Sequence, residues 1–393
     1  MKELISHKVN SIPPSGIRRF FDLIASMEGV VSLGVGEPDF VTPWHIREAA
    51  VYAIEQGYTA YTSNAGLPQL RQAISQKLYD DYSLTYSPED EVLITVGVSE
   101  ALDLALRAII NPGDEIIIPE PCYVSYKSCT ILANGVPVII STKDTGFKVT
   151  PDQIEAAISP KTKAILLSYP SNPTGTSLNK DELMAIAEVI KRHNLLVISD
   201  EIYSRLSYDQ PHTTIASLPG MRDNTILLDG FSKAYAMTGW RVGYAAGHKD
   251  IIGAMCKIHQ YSMLCASIVS QKAAVEALKN GRVQVEEMRN EYNRRRRLIV
   301  DGFNRIGDLE CFMPEGAFYA FPSIISTGLS SDEFAERLLF EEKVAVVPGN
   351  VFGECGSGYI RCSYATSLEN IEEALRRIKR FVDNLTTQVH GSK

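Results

Sequence analysis

Lys233 and Arg241, eight residues apart, lie in Asp229-Gly-Phe-Ser-Lys233-Ala-Tyr-Ala-Met-Thr-Gly-Trp-Arg241-Val-Gly243, a stretch whose residue types invite chemistry. It follows an apolar run, Thr225-Ile-Leu-Leu228, with the character of a strand. A lysine just past such a strand, ringed by small and apolar residues, is oddly placed for a surface charge. Burying its ammonium lowers its pKa and makes it a nucleophilic amine. Ser232 sets a hydroxyl beside it, and Arg241 adds a fixed cation. This combination suits Schiff-base chemistry beside a bound phosphate. The plainer alternative is a helix-start lysine whose stem lies along the surface and whose ammonium stays in water.

The elements around this stretch alternate. Short, mainly apolar runs at Val92–Val96, Glu115–Ile118, Val136–Ile140, Ala164–Leu167, Leu195–Ile198 and Thr225–Leu228 read as strands. Helical patterns separate several of them, among them Ala101–Ile110, Pro151–Ala157 and Lys180–Arg192. Unalternated apolar strands between helices predict an α/β fold with a mostly parallel sheet covered on both faces. At 393 residues the chain is long for one core, and two domains are expected: residues 45–285, and a smaller α+β unit made of residues 1–44 and 286–393. The smaller unit carries a long charged helix over about Val283–Ile306. Strands at Gly316–Phe321, Val344–Val347 and Tyr359–Tyr364 come after it, with helices over Asp332–Glu341 and Leu368–Asn384. In the arm, a short helix over Ile17–Ser26 precedes a strand-like Val30–Leu33 and the turn Gly34-Val-Gly36-Glu-Pro-Asp39. Helices over Pro43–Gln56 and Leu67–Tyr82 come next. The 34–39 turn lacks the third glycine of a dinucleotide fingerprint, so it reads as a turn bringing backbone close to a ligand.

In open α/β sheets ligands gather at the carboxyl ends of the strands, and the residues just past each strand of this chain form a coherent set. Val92–Val96 leads into a glycine turn and a helix N-terminus at Val98-Ser99, a ready phosphate site. Tyr123 comes after the next strand and could stack on a flat ring, although a core tyrosine fits as well. Tyr169-Pro-Ser-Asn172-Pro-Thr-Gly175 fixes an amide between two prolines. Ser199-Asp200-Glu201-Ile-Tyr203 puts a carboxylate at the end of a buried strand, which is costly without a cation such as a protonated pyridine nitrogen. The alternative for Asp200 is an N-cap on its own turn. Amine, carboxylate, stacking aromatic, phenol, amide and phosphate cradle together match what pyridoxal 5′-phosphate requires.

Bulk properties exclude other classes. The net charge of −8 argues against nucleic acid or an anionic membrane surface as the main partner. Arg294-Arg-Arg-Arg297, the one basic run, reads as a solvated helix face with acids nearby. Seven cysteines without a CxxC pair suit a reduced, cytoplasmic protein, and the seven histidines show no zinc spacing. The first residues lack the apolar core of a signal peptide, and no run approaches the ~18 apolar residues of a membrane span.

The same residues resemble a known family. Ser232-Lys233-Ala-Tyr-Ala-Met-Thr-Gly-Trp-Arg241-Val-Gly243 looks like the cofactor-lysine signature of the class I/II aminotransferases, the fold-type I pyridoxal-phosphate enzymes. Ser171-Asn172-Pro-Thr-Gly175, Ser199-Asp200-Glu-Ile-Tyr203, Gly36-Glu-Pro-Asp39 and Ile360-Arg361-Cys-Ser-Tyr-Ala-Thr366 are similar to other marks of that family, in its order. The resemblance is to the bacterial and archaeal aspartate, alanine and aromatic aminotransferases, with N-acetyl-diaminopimelate aminotransferases as close cousins.

It implies a seven-stranded large-domain sheet and a homodimer with shared sites. Lys233 would hold the cofactor and move the substrate proton, and Asp200 would keep the pyridine nitrogen protonated. Tyr203 and Asn172 would bond the ring oxygen, and Tyr123 would stack on the ring. Val98, Ser99, Ser232 and Arg241 would hold the phosphate, joined by Tyr61 reaching into the neighbouring subunit. Arg361, Asn172 and Gly36 would bind the substrate carboxylate, and Ile17 would line an apolar lid with Tyr61. The expected activity is ping-pong transfer of an amino group from an L-amino acid to a 2-oxo acid, 2-oxoglutarate being the expected acceptor. Ser99 stands where some aspartate-preferring members carry a lysine, which leaves recognition of a second carboxylate open; Arg18 is one source. The alternatives are a pyridoxal-phosphate carbon–sulfur β-lyase on the same fold and a non-catalytic binding or regulatory module.

Overall fold

The computed structural model describes residues 4–14, 16, 27–307 and 309–390, and the side chains of these up to residue 385. Ile17 and Arg18, and the whole helix expected over Ile17–Ser26, lie outside the described residues. The first strand, β1 (Val31–Ser32), belongs to the arm. A seven-stranded sheet then contains β2 (Val92–Thr95), β3 (Glu115–Glu120), β4 (Val136–Ser141), β5 (Thr162–Leu167), β6 (Leu196–Asp200), β7 (Thr225–Gly230) and β8 (Gly243–Ala246). Their spatial order is β2-β8-β7-β6-β5-β3-β4. The pairs β3–β4, β3–β5, β5–β6 and β6–β7 are parallel, and β8 runs antiparallel to both its neighbours. Strands β2 and β7 are buried along their whole length because helices cover both faces of the sheet.

The sequence reading singles out six of these strands. It passes over β8 because Gly-Tyr-Ala-Ala carries no β-branched residue and breaks the pattern a buried strand usually shows. The helices Lys249–Ser262 and Ile268–Asn280 are likewise absent from that reading. Elsewhere the expected helices form, with Pro151–Ala157 and Lys180–Arg192 at their expected bounds. Both begin with a capping box, Thr150 with Gln153 and Asn179 with Glu182.

The C-terminal part builds around the helix Arg282–Phe303. Here β9 (Tyr319–Ala320), β10 (Val344–Ala345), β11 (Val347–Pro348) and β12 (Ile360–Ser363) make two small sheets. One is antiparallel, in the order β11-β12-β9, and the other pairs β1 with β10 in parallel, Val31 opposite Val344. The strand expected over Gly316–Phe321 is thus reduced to two residues. Gly316 is pressed against Pro170, and Ala317 adopts a positive φ of 57°, so regular pairing starts only at Tyr319.

The arginine run corrects its reading as a solvated face. Arg295 and Arg296 are only 6% and 2% exposed. Consecutive helical residues are spread by about 100° around the axis, so four in a row cannot share one face. The two that point inward meet carboxylates: Arg295 meets Asp39 and Glu291, and Arg296 meets Asp209 and the Pro314 carbonyl.

Candidate active site

The carboxyl ends of the parallel strands open into one cavity of about 690 Å³. Val98, Ser99, Tyr123, Asn172, Asp200, Tyr203, Ser232, Lys233 and Arg241 line it from the large sheet, Gly36 from the arm, and Arg361 from β12. All these sequence-expected residues therefore meet in one place. Tyr61 does not line the cavity and is 82% exposed.

Lys233 stands in the turn after β7. Its Nζ donates to the Gly36 carbonyl at 2.7 Å and lies 5.8 Å from the centres of the Tyr203 and Phe318 rings. Burial is the main force lowering its pKa from 10.5 to about 8. Arg361 and Arg241 push the same way, while Glu37 and Asp200 oppose them. A usefully large fraction of the amine is thus neutral near neutral pH, as a nucleophile needs.

Asp200 is the last residue of β6 and 6% exposed. Its Oδ2 accepts from the Tyr126 hydroxyl at 2.8 Å and its Oδ1 from the Ile202 N–H at 3.2 Å. The second bond shows that Asp200 caps its own turn. Burial raises its pKa from 3.8 to about 6; the two hydrogen bonds restrain the rise, and the nearby Asp229 and Glu201 add to it. Its partners are neutral, so a cation placed against it would be held strongly.

The anion cradle is built from backbone. Gly97 opens the helix Gly97–Ile109 with φ at +74°, a conformation that disfavours a side chain. A Cβ there would fall 2.6 Å from Arg241 Nη2, so the guanidinium rests directly on the turn that presents the Val98 and Ser99 N–H groups. Helix N-terminus and cation converge on the same volume. Gly243 on β8 backs this turn, for its Cβ would lie 2.8 Å from both the Gly97 carbonyl carbon and the Val98 nitrogen.

At the other end lies Arg361, 2% exposed. Its Nη1 donates to Asn172 Oδ1 at 2.9 Å and its Nη2 to the Gly34 carbonyl at 2.7 Å. The Nε is buried without a partner, and no carboxylate pairs with the guanidinium among the described residues. Its plane is flanked by the Tyr319 and Phe352 rings at 4.6 and 4.9 Å. A fixed, incompletely satisfied guanidinium of this kind suits a carboxylate.

Two functional neighbours escape the sequence reading. Tyr126 lies three residues past Tyr123, so the spacing of a helical turn was the one signal for it. Tyr319, whose hydroxyl is 2.7 Å from that of Tyr203, lies in a run of core-like aromatics and gives no local signal.

Taken together, a cradle for a phosphate, a buried carboxyl facing the cavity and an amine poised to react fit pyridoxal 5′-phosphate. The chain matches the family described as aminotransferase class I and II over residues 28–378. It is 58% identical over 387 residues to "Putative aminotransferase YugH" of Bacillus subtilis, covering 98% of this chain and 100% of the relative. Identity to an aspartate aminotransferase of Pyrococcus abyssi is 45% over 380 residues, 96% of this chain and 97% of that one. The crystal structure of an aromatic aminotransferase from Pyrococcus horikoshii superimposes with a TM-score of 0.89 at 43% identity, covering 94% of this chain and 99% of the other.

Proposed function

The chain belongs to the class I and II aminotransferases, fold-type I transaminases that depend on pyridoxal 5′-phosphate and act on small molecules, and we propose that its donor is an L-amino acid with a neutral, aromatic or aliphatic side chain. The observation that carries this reading is the disposition of cations around the cavity. Its described lining holds Lys233, Arg241 and Arg361, and each has a task. No further lysine or arginine in that lining is free for an acidic side chain, whereas Glu37 adds a negative charge at the rim and Val35, Leu102 and Val124 add apolar surface. The expected acceptor is 2-oxoglutarate.

When bound, pyridoxal 5′-phosphate supplies the carbonyl carbon that carries the amino group and a ring that takes up the electron pair left as the Cα proton departs. Arg361, assisted by Asn172 and the Gly36 backbone, binds the α-carboxylate and so orients the Cα–H bond toward Lys233. The Lys233 amine, depressed in basicity by burial, is placed to take the proton from Cα and to return it two bonds away, on the far side of the amino nitrogen. Asp200, held by Tyr126, keeps a proton on the ring nitrogen. Tyr203 and Asn172 would bond the ring oxygen, and Tyr123 would stack on the ring. The Val98 and Ser99 N–H groups, Ser232 and Arg241 anchor the phosphate. In this reading residues 45–285 form the cofactor-binding domain, residues 1–44 and 286–393 form the second, and Tyr61 serves the site of a partner subunit in a homodimer. Its exposure supports that assignment. Among the described residues no helix is long and apolar enough to cross a membrane.

The test is a donor screen across the amino acids with 2-oxoglutarate, scored by glutamate formation. Aromatic or aliphatic donors are expected to exceed aspartate in kcat/KM. Aspartate as the preferred donor would overturn the specificity assignment, and pyruvate released without any acceptor would assign a β-lyase instead.

A further inference from the structure

Tyr319 stands between the two ends of the cavity, and none of the roles above employs it. Its hydroxyl is 2.7 Å from that of Tyr203. Its ring lies under the Arg361 guanidinium at 4.6 Å. From a third side the arm closes on it, since a Cβ added at Gly36 would fall 2.8 Å from the same hydroxyl. The side chain is 1% exposed and wedged against Phe318 at 4.9 Å and edge-on to the Tyr203 ring at 5.7 Å. One side chain therefore touches a residue at the cofactor end, the residue at the carboxylate end and the arm.

We propose that Tyr319 is a positioning residue for transamination: its hydroxyl donates to Tyr203, and its ring fixes the plane of Arg361. The inference rests on the roles of Tyr203 and Arg361 given above. A phenol has one proton to give and lone pairs that accept. Tyr203 must spend its proton on the ring oxygen, which leaves its own oxygen to accept from Tyr319. A hydroxyl that accepts one hydrogen bond donates a stronger one. Burial raises the pKa of both phenols, so both stay protonated, and the Arg361 cation opposes the rise at each. The titratable and charged groups facing it are Arg361 from β12, Tyr203 after β6, Tyr123 after β3 and Glu37 from the arm.

The experiment uses the holoenzyme. Absorbance of the lysine-bound cofactor is followed against pH in the wild type, Tyr203→Phe, Tyr319→Phe and the double variant, and KM for the amino donor is measured in Tyr319→Phe and Tyr319→Leu. Tyr203→Phe raises the midpoint of the titration, because the ring oxygen loses its donor. Tyr319→Phe raises it in the same direction by roughly 0.3 pH unit, a fraction of one hydrogen bond's effect. In the Tyr203→Phe background it adds nothing. Phenylalanine keeps the ring under Arg361, so KM stays within about twofold, whereas leucine removes the ring and raises KM roughly tenfold. A Tyr319→Phe curve superimposable on the wild type, or an equal shift with Tyr203 already removed, overturns the proposal. If Tyr203→Phe itself leaves the curve unmoved, the role of Tyr203 fails, and the inference built on it is overturned too.

Discussion

Arg295, on the long helix, holds both carboxylate oxygens of Asp39 at 2.8 Å. The guanidinium also lies 5.2 Å from the Phe40 ring and 5.7 Å from that of Tyr292, so charge and stacking fix it together. Asp39 ends the turn whose Gly36 carbonyl receives Lys233 and whose Gly34 carbonyl receives Arg361. A substitution far from the chemistry should therefore be felt in it. Arg295→Met is expected to cost about 1–3 kcal/mol of stability, since Asp39 is left without its partner. It should also raise KM for the amino donor several-fold. Steady-state kinetics with denaturant unfolding reads both, and an unchanged KM would separate the clamp from the site.

Asp200 carries a cost that the fold sustains for the sake of function. Its pKa is about 6 in the folded chain against an ordinary 3.8, so between roughly pH 4 and 6 the folded state binds the proton more tightly than the unfolded state. Stability of cofactor-stripped protein should then fall as pH rises through that window and stay low above it. Asp200→Asn should remove the penalty, stabilising the stripped protein at pH 8 by on the order of 2 kcal/mol. The same variant should lose at least about a thousandfold in kcat, because a neutral amide does not hold a proton on the ring nitrogen. Thermal unfolding at pH 5 and pH 8 tests the first claim and transamination rates the second.

On the role proposed for it, Lys233 should set how fast stripped protein captures its cofactor. Only the neutral amine attacks a carbonyl, and its pKa is about 8 instead of 10.5. Capture should accelerate with pH to a plateau just above 8. Near pH 7 it should be on the order of a hundredfold faster than an unperturbed lysine allows. Stopped-flow absorbance over pH 6–10 measures this, and a midpoint near 10 would refute it. Lys233→Ala should abolish turnover while the phosphate cradle still binds cofactor.

Arg361→Lys separates carboxylate recognition from cofactor binding. A lysine retains the charge but loses the fork that reaches Asn172 and Gly34 while leaving Nε for a ligand. KM for the amino donor should rise by roughly tenfold to a hundredfold with cofactor affinity unchanged. Equal weakening of both would place Arg361 in the structural frame of the cavity.

How much of this was legible in the sequence depends on the range of each interaction. Lys233, Asp200 and Asn172 announce themselves because each follows an apolar run, and the carboxyl end of a buried strand is where an α/β sheet exposes its residues. Tyr319 and Tyr203 are 116 positions apart, and nothing local to either says that the two phenols will hydrogen-bond. Arg295 and Arg296 misled because charge suggests solvent, whereas their burial depends on carboxylates at Asp39 and Asp209, far away in the chain. Strand β8 was hidden for the opposite reason: its glycine and alanines look like a loop, yet small residues are what a crowded position requires.

That crowding has an engineering consequence. Gly243 sits where any added carbon would strike the Gly97–Val98 backbone, and Gly97 where it would strike Arg241. Randomised libraries at these two positions should return glycine almost alone. Val35, Glu37 and Thr238 face the same cavity with side chains already in place, and they should accept broad diversity. On the proposed roles, the floor under the cofactor is thus frozen while the rim is free to drift, which makes this scaffold a good starting point for laboratory evolution toward new amino donors.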